Sequence, residues 1–172
     1  MLKIFRPTYH AQSVYDIDIN FYKKHGFKNV IVDLDNTLDS YKLFEPSIRA
    51  RELIKRLLAA GIDVFIISNN HSGRVNRYAD SLHLPFLANA RKPFKKRILQ
   101  YIAMMKIDVA KTVLIGDQLL TDVVVANKIG LSVVLTEKIV QEDQWTTKFN
   151  RLFDRPIRKH LRQKKLLPDW RN

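Results

Sequence analysis

Apolar residues crowd four short runs of the chain, Asn29 to Asp33, Ile62 to Ile67, Thr112 to Ile115 and Leu131 to Leu135. Within them the apolar positions are continuous rather than alternating, the pattern of strands buried on both faces of a parallel sheet. Between the runs, apolar residues recur at helical spacing. Pro46 opens one such segment, with Ile48, Leu53, Ile54, Leu57 and Leu58 on a stripe that Gly61 closes. A second carries Val75, Tyr78, Ala79 and Leu82, and a third begins at Pro93 with Phe94, Ile98, Tyr101, Ile102 and Met105. A fourth runs from Thr121 to Ile129 and stops at Gly130, and Phe86 to Ala88 reads as a short additional strand. Upstream, Ser13-Val14-Tyr15-Asp16 has the form of a capping box, and Val14, Ile17 and Phe21 continue it as a lead-in helix ending at Gly26. Alternating strands and helices with right-handed crossovers predict a three-layer α/β/α sandwich around a central parallel sheet.

At 172 residues, 46% of them hydrophobic, the chain suits one domain with a sizeable core. The predicted organisation is a lead-in helix over 1–28, a core over 29–140 and a basic C-terminal extension over 141–172. With no cysteine there is neither a disulfide nor a thiolate metal site, and no apolar run reaches the roughly 20 residues that span a bilayer. Met1 to Asn20 lacks a signal-peptide core, so the expectation is a cytoplasmic protein. The formal charge of +13 implies attraction to nucleic acid, an acidic membrane surface or phosphorylated substrates, and charge alone does not choose among them.

The basic residues are densest from Lys148 onward, where Lys148, Arg151, Arg155, Arg158, Lys159, Arg162, Lys164, Lys165 and Arg171 face only Asp154 and Asp169. After Pro156, Ile157, Leu161 and the stretch Lys164 to Leu167 fall at helical spacing. Two readings stand: an amphipathic helix at the inner face of an anionic membrane with Trp145 and Trp170 at the interface, or a solvated charged end. Nucleic-acid binding rests on charge alone, because no base-reading or stacking module is present.

Candidate chemistry collects where the apolar runs end, since ligands of such sheets sit at the carboxyl ends of the strands. The first run delivers Asp33 and Asp35, the second Ser68-Asn69-Asn70, and the fourth strand Gly116-Asp117 with Asp122 just beyond. Lys92 lies on a loop within reach of the same edge. Two carboxylates so close together repel unless a cation offsets them. Magnesium suits a few carboxylate oxygens on adjacent strand ends, here Asp33 and Asp117, with the Asp35 carbonyl as a third ligand. Asp33 then serves as nucleophile toward phosphorus and Asp35 as acid and base. Ser68 and Asn69 donate to phosphate oxygens, Lys92 offsets charge, and Asp122 binds the metal through water or holds Lys92. Taken singly, each has a plainer reading: a solvated carboxylate pair in a turn, a helix cap at Ser68, a surface lysine, an acidic residue favouring a helix start at Asp122. The five histidines show no metal-ligand spacing.

In this order the residues resemble the haloacid dehalogenase-like (HAD) hydrolases. Asp33-Leu34-Asp35-Asn36-Thr37 matches the first motif of that family, Ser68 the second, Lys92 the third, and Gly116-Asp117 with Asp122 the fourth. The resemblance covers about Asn29 to Leu135 and implies a Rossmann-like core, Mg2+ held by Asp33, Asp35, Asp117 and Asp122, and a phosphate site that includes Thr37. The wording Ile67-Ser68-Asn69-Asn70, Arg91-Lys92-Pro93 and Gly116 to Asp122 is similar to the YqeG-type branch, itself similar to mitochondrial phosphatidylglycerophosphate phosphatases. The segments Asn36 to Ile67 and Asn69 to Arg91 are used up by core crossovers, which leaves no cap domain. An uncapped site favours a bulky or membrane-presented phosphate ester. The alternative is a scaffold of the same fold whose basic surface docks on RNA, a ribosome or a GTPase, though intact Asp33 and Asp35 argue for an enzyme.

Overall fold

Strands that are apolar on both faces need cover on both sides, and the computed structural model supplies it. It describes the backbone of residues 2–139 and 145–172 and the side chains of 3–139 and 152–172. The strands are β1 (Tyr9–Ala11), β2 (Asn29–Asp33), β3 (Asp63–Ile67), β4 (Phe86–Leu87), β5 (Thr112–Gly116) and β6 (Ser132–Thr136). They form one sheet in the order β1-β6-β5-β2-β3-β4, with every pairing parallel. The helices are α1 (Ile19–Lys24), α2 (Ile48–Ala59), α3 (Ser72–Asp80), α4 (Lys96–Met104), α5 (Val124–Ile129) and α6 (Trp145–Gln163).

The two faces of the sheet divide the core by strand alternation. Val30, Val32, Val64, Ile66, Val113 and Ile115 pack with Phe21 and Tyr22 of α1, Leu53 and Leu57 of α2, and Val75 and Tyr78 of α3. Ile31, Phe65, Ile67, Leu114 and Val133 face the other way, onto Ile98 and Ile102 of α4, Val125 and Ala126 of α5, and Leu161 of α6. The three-layer α/β/α architecture is therefore as the hydrophobic pattern predicts. Among the described residues, the crossovers from β2 to β3 and from β3 to β4 hold only a loop with α2 and a turn with α3, with no inserted cap.

Several elements differ from the expected ones. The lead-in is two pieces: a 3-10 turn, Val14–Asp16, capped by Ser13, and then α1, capped by Asp18, whose side chain accepts from the Asn20 N–H at 2.7 Å. Extended backbone at Ile17 and Asp18 breaks the run, so both caps are used. Helix α2 starts two residues after Pro46 with Ser47 as cap, and its ends turn Ile48 and Leu58 outward, 78% and 45% exposed. Helix α4 starts at Lys96, because Arg91 to Phe94 close a turn through the Phe94 N–H and the Arg91 carbonyl, 2.9 Å apart. Phe94 consequently points to solvent and is 71% exposed.

Strand β1 has no apolar signature, and its support comes from far along the chain. It pairs with β6 on one side, and on the other the His10 N–H reaches the Pro168 carbonyl while the Trp170 N–H reaches the His10 carbonyl. The last residues thus cover the sheet edge. Trp170 meets Phe21 edge to face at 6.0 Å between ring centroids, not a membrane interface. Pro156 lies inside α6, and Ile157, Leu161, Leu166 and Leu167 pack on the second core layer. The apolar positions read as lipid-facing or solvated therefore face protein; the Trp145 side chain lies outside the described residues.

A packed extension predicts that Leu161→Ala, at a fully buried position, lowers unfolding free energy by about 2–4 kcal/mol in urea titrations. A loss below about 0.5 kcal/mol, the size expected of a surface site, is the opposite outcome.

Candidate active site

Because all strands run the same way, the carboxyl ends of β2, β3 and β5 lie along one edge, and each hands over to a polar residue there. Asp33 ends β2, Ser68 follows β3, and Asp117 follows β5. Oxygens of Asp33, Asp117 and Asp122 lie within 4.8 Å of one another, and all three residues are buried. The Lys92 ammonium is inserted among them, 2.5 Å from Asp33 Oδ1 and 2.6 Å from Asp122 Oδ1. Three carboxylates against one ammonium leave a negative excess where water is scarce.

That excess sets the protonation of the cluster. Burial pushes the Asp33 carboxyl well above the usual range; the Lys92 charge opposes this, while Asp122, Asp117 and Asp35 reinforce it. Burial acts to lower the Lys92 pKa, but Asp122 and Asp33 more than reverse it, so the ammonium stays charged. A cation bound among the carboxylates would restore Asp33 to its ionised form.

Other residues hold this cluster in place. Both ends of the Asn69 amide are committed to Lys92: Nδ2 donates to its carbonyl at 3.0 Å, and Oδ1 accepts its N–H at 2.7 Å. Asn69, expected to donate to phosphate, fixes the lysine backbone through these two bonds. Asp122, expected either to bind metal through water or to hold Lys92, does hold Lys92, and its second oxygen accepts the Gln118 N–H at 3.1 Å. Gly116 makes that approach feasible, because a Cβ there would lie 2.6 Å from the Asp122 Cβ. After it the chain forms a π-helical turn, Leu119–Val123, before α5.

Asp35 sits at the rim. Its Oδ2 accepts from Ser68 Oγ at 3.2 Å and Asn70 Nδ2 at 3.4 Å, and its Oδ1 is 2.5 Å from Arg74 Nη1. Ser68 also accepts the Asn70 N–H at 3.0 Å, so it caps the turn as well as facing the site. The Thr37 hydroxyl is buried with no hydrogen-bond partner among the described residues. Asn36, with a φ of 64°, turns the loop between them, and Asp39 ties that loop to the Ser47 N–H at 2.9 Å and the Tyr78 hydroxyl at 2.6 Å.

Three residues of this arrangement carry no sequence signal pointing to the site. Arg74 lies one turn into α3 and is only 3% exposed. Asp154 and Arg158, one helical turn apart on α6, are buried in the extension read as basic surface. Asp154 Oδ1 accepts the Leu119 N–H at 2.9 Å, and Arg158 Nη2 donates to the Asp117 carbonyl. The only available hint is the i,i+4 spacing of an acid and a base, which is commonplace on helices.

Arg158 is in turn fixed by Glu137, which accepts from it at 3.1 Å, from Arg162 at 2.7 Å and from His10 Nε2 at 2.9 Å. Burial pushes the Glu137 carboxyl up, but the His10 hydrogen bond and the charges of Arg158 and Arg162 outweigh it, leaving a pKa of about 2 instead of 4.5. A lowered folded-state pKa stabilises the fold above the ordinary value, and this contribution fades as pH falls toward the folded one. Glu137→Gln is therefore expected to lose roughly 2 kcal/mol at pH 7, after discounting for partial exposure, in urea titrations. The gap to the parent should narrow steadily as pH drops from about 5 toward 3; a pH-independent gap contradicts the assignment.

Comparison with known proteins agrees with this geometry. Residues 2–140 match the family described as mitochondrial PGP phosphatase. The chain is 34% identical over 162 residues to the probable phosphatase YqeG of Bacillus subtilis (strain 168), an alignment covering 94% of each protein. The fold recurs in the cobalt-bound deoxy-D-mannose-octulosonate 8-phosphate phosphatase of Haemophilus influenzae, with a TM-score of 0.51, 19% identity, and coverage of 67% of this chain and 81% of that one. It recurs also in the 3-deoxy-D-manno-octulosonate 8-phosphate phosphatase of Moraxella catarrhalis, solved with magnesium, phosphate and KDO (TM-score 0.51, 18% identity, coverage 71% and 75%). The chain thus belongs to the mitochondrial PGP phosphatase family and is a phosphatase.

Proposed function

We propose that the protein is a magnesium-dependent phosphomonoesterase working through an aspartyl-phosphate on Asp33. The observation that carries this reading is the convergence of Asp33, Asp117 and Asp122 oxygens within 4.8 Å around a single ammonium. The donor set fits magnesium: hard carboxylate oxygens with an unbalanced negative charge, at a strand edge where waters and phosphate oxygens complete the shell. Asp33 and Asp117 would hold the ion, with the Asp35 carbonyl as a third ligand, and Asp122 would act from behind through water or through Lys92. When bound, magnesium supplies positive charge that keeps Asp33 ionised and offsets charge on the phosphoryl oxygens.

The steps belong to the side chains. The Asp33 carboxylate attacks phosphorus in line with the ester oxygen, the P–O ester bond breaks, and Asp35 gives its proton to the departing alkoxide. Water then attacks the same phosphorus, Asp35 takes its proton, and the acyl-phosphate bond breaks to return Asp33 and release phosphate. Ser68 Oγ, the buried hydroxyl of Thr37 and the Lys92 ammonium are the donors for the transferring oxygens. Arg74 holds Asp35 at the rim, where a leaving group enters from solvent.

For substrate we favour a bulky or membrane-presented phosphate ester, with phosphatidylglycerophosphate as the leading candidate. The family description and the absence of a cap among the described residues support this choice. A lipid headgroup reaching an open edge needs no enclosing lid.

The expected result is phosphate release that stops with EDTA and returns with magnesium, and that Asp33→Asn abolishes while retaining the parent circular dichroism spectrum. Asp35→Asn is expected to lower kcat by roughly 10²- to 10⁴-fold. Full activity in EDTA, or in Asp33→Asn, refutes the mechanism. Turnover of soluble sugar phosphates or nucleotides, with none of phosphatidylglycerophosphate in mixed micelles, refutes the substrate.

A further inference from the structure

Strand β5 stops at Gly116, and the backbone groups that follow it are held by side chains. The Asp117 carbonyl accepts from Arg158 Nη2, the Gln118 N–H donates to Asp122 Oδ2 at 3.1 Å, and the Leu119 N–H donates to Asp154 Oδ1 at 2.9 Å. The peptide group joining Asp117 to Gln118 is thereby fixed at both its oxygen and its N–H. Arg158 and Asp154 come from α6, outside residues 2–140, the segment matched to the family.

Arg158 is buried, and each of its three guanidinium nitrogens has an acceptor. Nε donates to Asp154 Oδ2 at 3.2 Å, Nη1 to Glu137 Oε1 at 3.1 Å, and Nη2 to the Asp117 carbonyl. A planar fork engaged through all three nitrogens sets direction as well as distance. Glu137 in turn accepts from Arg162 and His10, which ties the arrangement to α6 and β1. Charge gives a guanidinium no part in attracting a cation, since like charges repel. What Arg158 contributes beside such a site is its hydrogen bond to the turn.

We infer that α6 sets the affinity of the site for its metal: Arg158, with Asp154, is a positioning residue that holds the Asp117 backbone so that the Asp117 carboxylate stays converged with Asp33. The inference rests on the reading of Asp33 and Asp117 as magnesium ligands. Two carboxylates repel, so they stay together only where both backbones are held. Asp33 is paired with Ile67 inside the sheet, whereas Asp117 lies one residue past the end of β5. The Asp117 turn is therefore the part that needs support from outside the sheet, and α6 supplies it. Both residues act through that turn and not on the reacting atoms.

Calorimetric titration of magnesium alone into the full chain tests this without turnover. Arg158→Gln should raise the magnesium Kd about tenfold, the lower end of the loss typical when a group orienting a metal ligand is removed. Removing a nearby positive charge would by itself tighten binding of a cation, so the direction of the change separates positioning from charge. The double variant Arg158→Met, Asp154→Asn removes the ion pair together and keeps the net charge, while Glu137 retains Arg162 and His10. It should weaken magnesium by a similar factor, and it decides the point where Arg158→Gln does not fold. Leu161→Ala, on the same helix but in the second core layer, should bind magnesium as the parent does despite its lower stability. Unchanged or tighter binding in either folded Arg158 variant, or an equal weakening in Leu161→Ala, overturns the inference. A parent that binds no magnesium instead removes the metal reading on which it rests.

Discussion

Three carboxylates and one ammonium in a water-poor space do not balance, and the rest of this molecule is arranged around that imbalance. Asp33, Asp117 and Asp122 converge from β2 and from the turn after β5, with Lys92 wedged among them at 2.5 and 2.6 Å from two of the three. Left alone, such a group favours protonating Asp33, which would silence it as a nucleophile. The Lys92 charge opposes this without overcoming it, and a bound cation would tip the carboxyl back to its ionised form.

Holding like charges together requires a frame that resists their separation. Parallel β2 and β5, paired from Asn29 to Val32 in register with Thr112 to Ile115, fix the distance between the two strand ends. Asn69 clamps the Lys92 backbone from both sides, and Gly116 leaves room for the Asp122 side chain to pack against it. The C-terminal helix completes the frame, since Asp154 and Arg158 take up an N–H and a carbonyl of the turn that carries Asp117. The extension is therefore structural support for the site.

How much of this was legible in the sequence depended on whether the determining contacts were local. The core strands announced themselves because burial on both faces forces continuous apolar residues, as in Val30-Ile31-Val32 and Val113-Leu114-Ile115. Asp33, Ser68 and Asp117 were legible because each sits where such a run stops. Strand β1 was not, since Tyr9-His10-Ala11 is held by β6 and by residues near position 169, contacts that leave no periodic trace. Helix starts drifted from Pro46 and Pro93 to Ile48 and Lys96, the first because Ser47 caps α2 and the second because a tight turn precedes α4 and aims Lys92 inward and Phe94 outward. Arg74, Asp154 and Arg158 looked like ordinary surface charges; only the tertiary fold buries them against the loops they support. Basic residues in the tail suggested a face for lipid or nucleic acid, whereas the apolar stripe of that helix closes the second core layer.

The central claim is that phosphorus passes through the carboxylate of residue 33. Rapid acid quench of the magnesium-loaded protein during turnover, followed by peptide mass mapping, measures it directly. The account predicts a phosphoryl adduct on the peptide containing Asp33, absent in Asp33→Asn and accumulating in a variant of Asp35 that attacks but does not activate water. Active enzyme that yields no adduct under any quench time, or an adduct on another residue, contradicts it.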